Sequence, residues 1–295
     1  MATITCNESG GQYFYHLKFQ IMKKLIVPVD FSPTSVNAAA FAGNLAIFYG
    51  AEIWLYHAYE MPVGFGEVTW PLFDASESQS AAEQELEILR TNVQKNLRSK
   101  VAFNSKAELA PFAEGLADFC DEIQPDLVVM GLSGKDALTK LIVGSNTIKI
   151  IHDLKYPVLV IPPKASFKPV VKIGFACDYK KIAETTPVDL LKKILKDFDA
   201  DLYVVNVDYN NTNVDDEVMD GSIAAKNLLR DINPVYDSIE SENVTEGLNK
   251  YAEEKGLDWI MVIPKKHTLL QKMFSRSHSK DLLYHTYLPV LCVHQ

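Results

Sequence analysis

Three glycines, a serine and an asparagine stand at spacings suited to holding phosphate. Gly131-Leu-Ser-Gly134 follows the apolar run Asp126–Met130, and after nine more residues come Gly144, Ser145 and Asn146. The pattern is G-x2-G-x9-G-S-N. Gly131, at the carboxyl end of a strand, would let backbone approach a ligand closely. Gly134 would permit the turn that points N–H groups inward. Gly144 and Ser145 stand where a helix begins, and the free N–H groups and dipole of a helix N-terminus favour an anion. Ser145 adds a hydroxyl donor. The pattern is neither a Walker A loop nor the dinucleotide G-x-G-x-x-G. The plain alternative is a glycine-containing strand-to-helix connection with a capped helix.

Asp30 is the second candidate. It ends the run Val27-Pro28-Val29-Asp30-Phe31-Ser32. A carboxylate at a strand's carboxyl end can accept hydrogen bonds from a base or a ribose, and open α/β sheets bind ligands at that end. The alternative is an acid that merely precedes the first helix. His57, at the end of another strand, reads as a satisfied core histidine, and Phe41, Phe48 and Trp54 read as core.

The elements that must position these residues alternate strand and helix. Leu25–Val29 is a continuous apolar run, as for a strand buried on both faces. Ser32 and Pro33 then cap and start a helix that ends near Tyr49 and Gly50. Strands are expected at Glu52–Ala58, within Val101–Leu109, at Asp126–Met130 and at Pro157–Ile161. Helices are expected at Glu77–Lys100, Pro111–Ile123 and Asn146–Leu154, with a long loop over Tyr59–Ala75. This grammar implies a mostly parallel sheet covered on both faces.

After Pro162–Pro169, which holds Pro162, Pro163 and Pro169, the grammar restarts. Strands are expected at Val170–Cys177, Asp201–Asp208, Pro234–Ile239, Trp259–Ile263 and Pro289–Val293. Helices are expected at Pro187–Asp197, Ser222–Ile232, Val244–Lys255 and Ser279–Tyr287, and a polar loop at Asn210–Asp220. The halves match in spacing. Asp126 to Gly144 is 18 positions, as is Asp258 to Arg276; Gly144 to Pro157 is 13, as is Arg276 to Pro289. Equal gaps in both intervals indicate an internal repeat. The expected architecture is two tandem doubly wound domains, each a five-stranded, mostly parallel sheet with helices on both faces. The boundaries are 22–162 and 170–295, with 163–169 as linker. Residues 1–21 lack the order of a signal peptide. They read as a leader or artefact, disordered, with Met22 as the natural start.

Composition narrows the function classes. A net charge of −9 argues against general binding to nucleic acid or anionic membrane. No apolar run reaches the length of a membrane span. Cys6, Cys120, Cys177 and Cys292 form no zinc or C-x-x-C spacing and read as reduced, mostly buried thiols of a cytoplasmic protein.

Val-Pro-Val-Asp-Phe-Ser, then G-x2-G-x9-G-S-N, then Tyr156-Pro157-Val-Leu-Val together resemble the universal stress protein family. The resemblance runs over both halves, with the full motif set in the first. It implies an ATP-binding regulatory protein of the stress response. By position, Asp30 would face the adenosine, and Pro28 and Ala58 would line the base pocket. Met130 and Gly131 would flank the sugar and phosphates; Gly134, Gly144, Ser145 and Asn146 would hold the phosphates. The family's nucleotide commonly carries a divalent ion such as Mg2+, for which no dedicated carboxylate cage is evident. The second half departs from the pattern. Ile263 stands for Gly131, Lys266 for Gly134 and Arg276 for Gly144, followed by Ser277 and His278. That half is expected not to bind ATP. Its replacement loop is basic, from Lys265 to Lys280; it reads as a solvated loop, or as an anion patch that could reach phosphates in the other half. Tandem repeats also suggest intramolecular pairing of the halves through the strands Pro157–Ile161 and Pro289–Val293. Further homodimerisation stays open. A slow ATPase or phosphotransferase would need a base placed near the γ-phosphate, which the sequence does not offer. A nucleotide-free pairing scaffold is the remaining alternative.

Overall fold

The computed structural model describes residues 22–60, 75–131, 150–151, 153–179, 182–208, 216–263 and 288–293. Ten strands lie within them: β1 Lys24–Pro28, β2 Glu52–Tyr59, β3 Ala102–Leu109, β4 Leu127–Gly131, β5 Val158–Ile161, β6 Lys172–Ala176, β7 Asp201–Asp208, β8 Val235–Glu240, β9 Trp259–Val262 and β10 Val290–Cys292. The helices are α1 Pro33–Tyr49, α2 Ala75–Asn96, α3 Phe112–Ile123, α4 Ile182–Thr185, α5 Val188–Phe198, α6 Asp216–Leu228 and α7 Val244–Lys255.

The strands form one sheet in the order β3-β2-β1-β4-β5-β10-β9-β6-β7-β8. Within the first five and within the last five, neighbours run parallel. The two runs meet where β5 and β10 pair antiparallel, with Leu159 opposite Leu291. The expected α/β class and parallel sheets are present, and the two strands expected to pair the halves, β5 and β10, make the two sheets continuous across that seam.

Burial follows strand position. The central strands β1, β4, β5, β9 and β10 are almost wholly buried, as continuous apolar runs covered on both faces should be. The edge strands β3 and β8 alternate exposed and half-buried residues, and charged side chains there discourage pairing with another chain. One face of the sheet packs against α1, α2, α5 and α6. The other packs against α3, α7 and the helical residues Ile150 and Ile151.

Equivalent joints recur in the two halves. Asp126, just before β4, accepts from the N–H groups of Lys23 and Lys24 at 2.7 and 3.1 Å. Asp258, just before β9, accepts from Val171 and Lys172 at 2.8 and 3.0 Å. Lys24 Nζ then reaches the Ile123 carbonyl, and Lys172 Nζ the Lys255 carbonyl. Each pair ties the first strand of a half to the start of its neighbour in the sheet.

Two stretches differ from the expectation. α6 begins at Asp216, inside the supposed loop Asn210–Asp220. Gly221, between the expected loop and the expected helix, lies within α6 and packs closely on Tyr179: a Cβ there would fall 2.1 Å from the Tyr179 carbonyl oxygen. Only glycine admits that contact. In the second half the helix expected at Pro187–Asp197 is present as α5, but the single turn α4 precedes it, separated from it at Thr186 and Pro187. Proline cannot continue the hydrogen-bond ladder of a helix interior.

Among the described residues no helix is long and apolar enough to cross a membrane. Cys120, Cys177 and Cys292 are buried thiols. Phe41 is core, at 3% exposure, but Phe48 is 47% exposed and packs by its ring edge and face against Tyr49, Phe167 and Phe198.

Candidate functional site

The carboxyl ends of β2, β1 and β4 lie side by side. Ile26 and Met130 belong to the hydrophobic cluster on the α3 side of the sheet, and Ala58 packs against it. Val27, Val29 and Leu55 belong to the opposite cluster. Pro28 therefore shares the side of Met130 and Ala58 by the two-residue alternation of a strand. It is buried, Met130 is 4% exposed, and Ala58 is half-buried. Asp30 follows just beyond β1 and is exposed. Three of the sequence candidates, Pro28, Ala58 and Met130, from three separate strands, thus share one end and one face of the sheet, and Asp30 lies just past the same end, bonded to the start of α1. The arrangement brings apolar side chains and a carboxylate to the same end of the sheet.

Asp30 is engaged in its own turn. Its Oδ1 accepts from the Ser32 N–H at 3.1 Å, and its own N–H donates to Ser35 Oγ at 3.3 Å. The reading of Asp30 as an acid preceding a helix therefore has substance, although the side chain capping α1 is Ser32, whose Oγ accepts from the Ser35 N–H. Partial burial would push the Asp30 carboxyl up. Hydrogen bonds from Ser32 and Ser35, and from the backbone of Ser32 and Asp30, outweigh it and hold the group below its ordinary value. Asp30 is accordingly a carboxylate acceptor at neutral pH.

Gly131 ends β4 and packs on α1. A Cβ there would lie 2.5 Å from the Thr34 carbonyl oxygen and 3.0 Å from the Ser35 nitrogen. A close approach that requires glycine here is the one to the first turn of the helix. Thr34 and Ser35 are themselves buried, at 3% and 4%. Gly134, Gly144, Ser145 and Asn146 lie outside the described residues, as do Lys266, Arg276, Ser277 and His278 of the second half. Ile263, the counterpart of Gly131, is half-buried and packs against the main core. Among the described residues no group of three or more His, Cys, Asp or Glu side chains is placed to hold a metal ion.

Strand direction settles where the basic loop starts. β4 runs parallel to β5, β5 antiparallel to β10, and β10 parallel to β9. β9 therefore runs opposite to β4, and the loop after β9 leaves from the sheet edge opposite to that of the loop after Gly131. Residues 265–280 themselves, and with them the expected anion patch, lie outside the described residues.

His57, which the sequence places as a satisfied histidine at a strand's end, is half-buried and does find a hydrogen-bond partner. Its Nδ1 lies 2.8 Å from the Val29 carbonyl oxygen, and its ring centroid 4.6 Å from that of Phe31. A carbonyl only accepts, so Nδ1 carries the hydrogen. Phe31 stands in the left-handed region, with φ 59°.

The universal stress protein family matches residues 22–162. A universal stress protein of Methanocaldococcus jannaschii is 27% identical over 144 residues, which is 48% of this chain and 82% of that protein. Among solved structures, a universal stress protein of Archaeoglobus fulgidus aligns over 92% of this chain and 98% of its own, with a TM-score of 0.61 at 17% identity. A functionally unknown protein of Pseudomonas aeruginosa aligns over 93% of both chains, with a TM-score of 0.53 at 13% identity. At such identities the structures speak to the fold, and they do so over nearly the whole chain. Residues 22–162 of this chain thus match the universal stress protein family.

Proposed function

We propose that the first half binds ATP at the carboxyl ends of β2, β1 and β4, and that the protein acts as a nucleotide-dependent regulator in the stress response. The observation that carries this reading is that Pro28, Ala58 and Met130 share one face at the carboxyl ends of their strands, with Asp30 just past the end of β1 and the glycine-rich segment starting at Gly131 beside them. Pro28, Ala58 and Met130 offer apolar contact to a base. The Asp30 carboxylate accepts from ribose hydroxyl or adenine amino hydrogens. Gly134, Gly144, Ser145 and Asn146 cradle the phosphates, with N–H groups and the Ser145 hydroxyl as donors; any Mg2+ arrives with the nucleotide. The second half keeps Asp178 in the place of Asp30 but has Ile263 for Gly131 and Arg276 for Gly144. It holds no nucleotide and serves as the pairing partner of the first.

The test is to denature freshly purified protein, identify the released nucleotide by mass spectrometry and count it per chain. About one ATP per chain is expected, and none from Gly144→Arg at unchanged fold and mass. ADP or AMP would favour an enzyme that consumes ATP. No nucleotide, with no binding on titration, would leave a pairing scaffold.

A further inference from the structure

The turn after the first strand is built alike in the two halves. Val29 N donates to the Tyr56 carbonyl at 2.8 Å, and Cys177 N to the Val205 carbonyl at 2.9 Å. The carbonyl of that same residue then accepts a side chain from the neighbouring strand. His57 Nδ1 serves Val29 at 2.8 Å, and Asn206 Nδ2 serves Cys177 at 2.9 Å. Two residues on, each chain enters the left-handed region, at Phe31 and at Tyr179, both with φ 59°. An aromatic residue there is strained and persists only where its surroundings hold it. In the first half the His57 ring also lies against Phe31. Between the clamped carbonyl and the strained residue stands a single aspartate, Asp30 or Asp178, whose direction is set by the dihedrals on either side.

We propose that His57 is the positioning residue for Asp30: by clamping the Val29 carbonyl and backing the Phe31 ring it holds the left-handed turn that aims the carboxylate into the site. Asparagine can do the same work, as Asn206 does in the second half. The consequence for nucleotide rests on the ATP reading above; the positioning of Asp30 does not.

The test uses the full chain carrying His57→Asn, His57→Leu, Asp30→Ala and the pair His57→Leu/Asp30→Ala, each checked for a cooperative melt. His57→Met serves if His57→Leu fails that check. Two readouts are taken: the titration of Asp30 by NMR without nucleotide, and the Kd for ATP. In His57→Leu the Asp30 titration is expected to move up toward the ordinary carboxylate value, because the bonds from Ser32 and Ser35 that depress it depend on this turn. ATP should bind about tenfold more weakly, the worth of one hydrogen bond. His57→Asn should match wild type in both readouts, and in the Asp30→Ala background His57→Leu should cost no further affinity. The proposal is overturned if Asp30 titrates unchanged in His57→Leu, if His57→Asn behaves as His57→Leu, or if the affinity loss is the same with Asp30 absent. A wild type that binds no ATP while Asp30 responds as expected would sink the nucleotide reading and leave the positioning role standing.

Discussion

Gly131 and Thr34 touch through backbone alone, and that contact joins β4 to the turn of α1 that carries the Asp30 bonds. Gly131→Ala would drive a methyl into the Thr34 carbonyl. Overpacking of this kind costs about 1–3 kcal/mol. The first turn of α1 must shift to relieve it, and Ser32 and Ser35 shift with it. A denaturant melt should show the loss, and the Asp30 titration should rise toward the ordinary range. A variant of full stability with Asp30 unmoved would mean the contact relaxes without reaching the turn. The motif glycine is legible in the sequence; its packing role is not, because Thr34 is 97 positions away in the chain.

The helices α1 and α5 end against each other, and their junction mixes aromatic stacking with a misplaced charge. Tyr49 and Phe198 meet edge to face at 5.2 Å, Phe48 and Phe198 stack at 6.0 Å, and Phe198 meets Trp259 at 4.8 Å. Beside them the Tyr49 hydroxyl and both Asp197 carboxylate oxygens are buried without a hydrogen-bond partner. Burial pushes the Asp197 carboxyl up to about 6, although Lys193 and Lys196 pull the other way. A raised folded-state value means the folded protein favours the protonated acid. This contribution is fully present below about pH 4, the ordinary aspartate value, and is lost as pH rises through about 6. At neutral pH the ionised carboxylate is therefore a cost. Asp197→Asn should flatten the dependence of Tm on pH between those limits. It should raise Tm at neutral pH by roughly 2–4 °C, the response to about 1 kcal/mol in a chain of this size. Parallel Tm curves for variant and wild type would show that the carboxylate is not strained here. The helix pattern marks Phe198 as apolar and Asp197 as polar, so the sequence alone assigns Asp197 to solvent. The burial comes from α1 of the other half.

Across the whole molecule, the β5–β10 seam unites two parallel sheets into one. Its centre is the pair Leu159 and Leu291, at 0% and 1% exposure. Asn37 of α1 adds to the joint by donating to the carbonyls of Pro162 and Ala165, both at 3.1 Å. Leu159→Ala should cost about 2–5 kcal/mol as a core truncation. Leu291→Ala should cost less in that background than in wild type, because the two side chains face each other. Additive losses in urea melts would show that the seam does not couple the halves. The antiparallel seam also sends the carboxyl ends of the two half-sheets in opposite directions, so Asp30 and Asp178 follow strand ends that point apart.

What the sequence determined by itself was local or periodic. Apolar runs marked the buried strands, Ser32 and Gly50 bounded α1, equal spacings exposed the repeat, and the glycine pattern marked the segment beside Asp30. These are legible because each depends on neighbours within a few residues or on a fixed period. The tertiary structure alone decided which side of the sheet Pro28, Ala58 and Met130 share, which carbonyl His57 holds, why Gly131 and Gly221 must be glycine, and that the second loop starts from the far edge. Those outcomes are set by contacts between residues remote in the chain and by relative strand direction. Neither leaves a trace in composition or spacing, because the same residues would read identically had the halves joined the other way round.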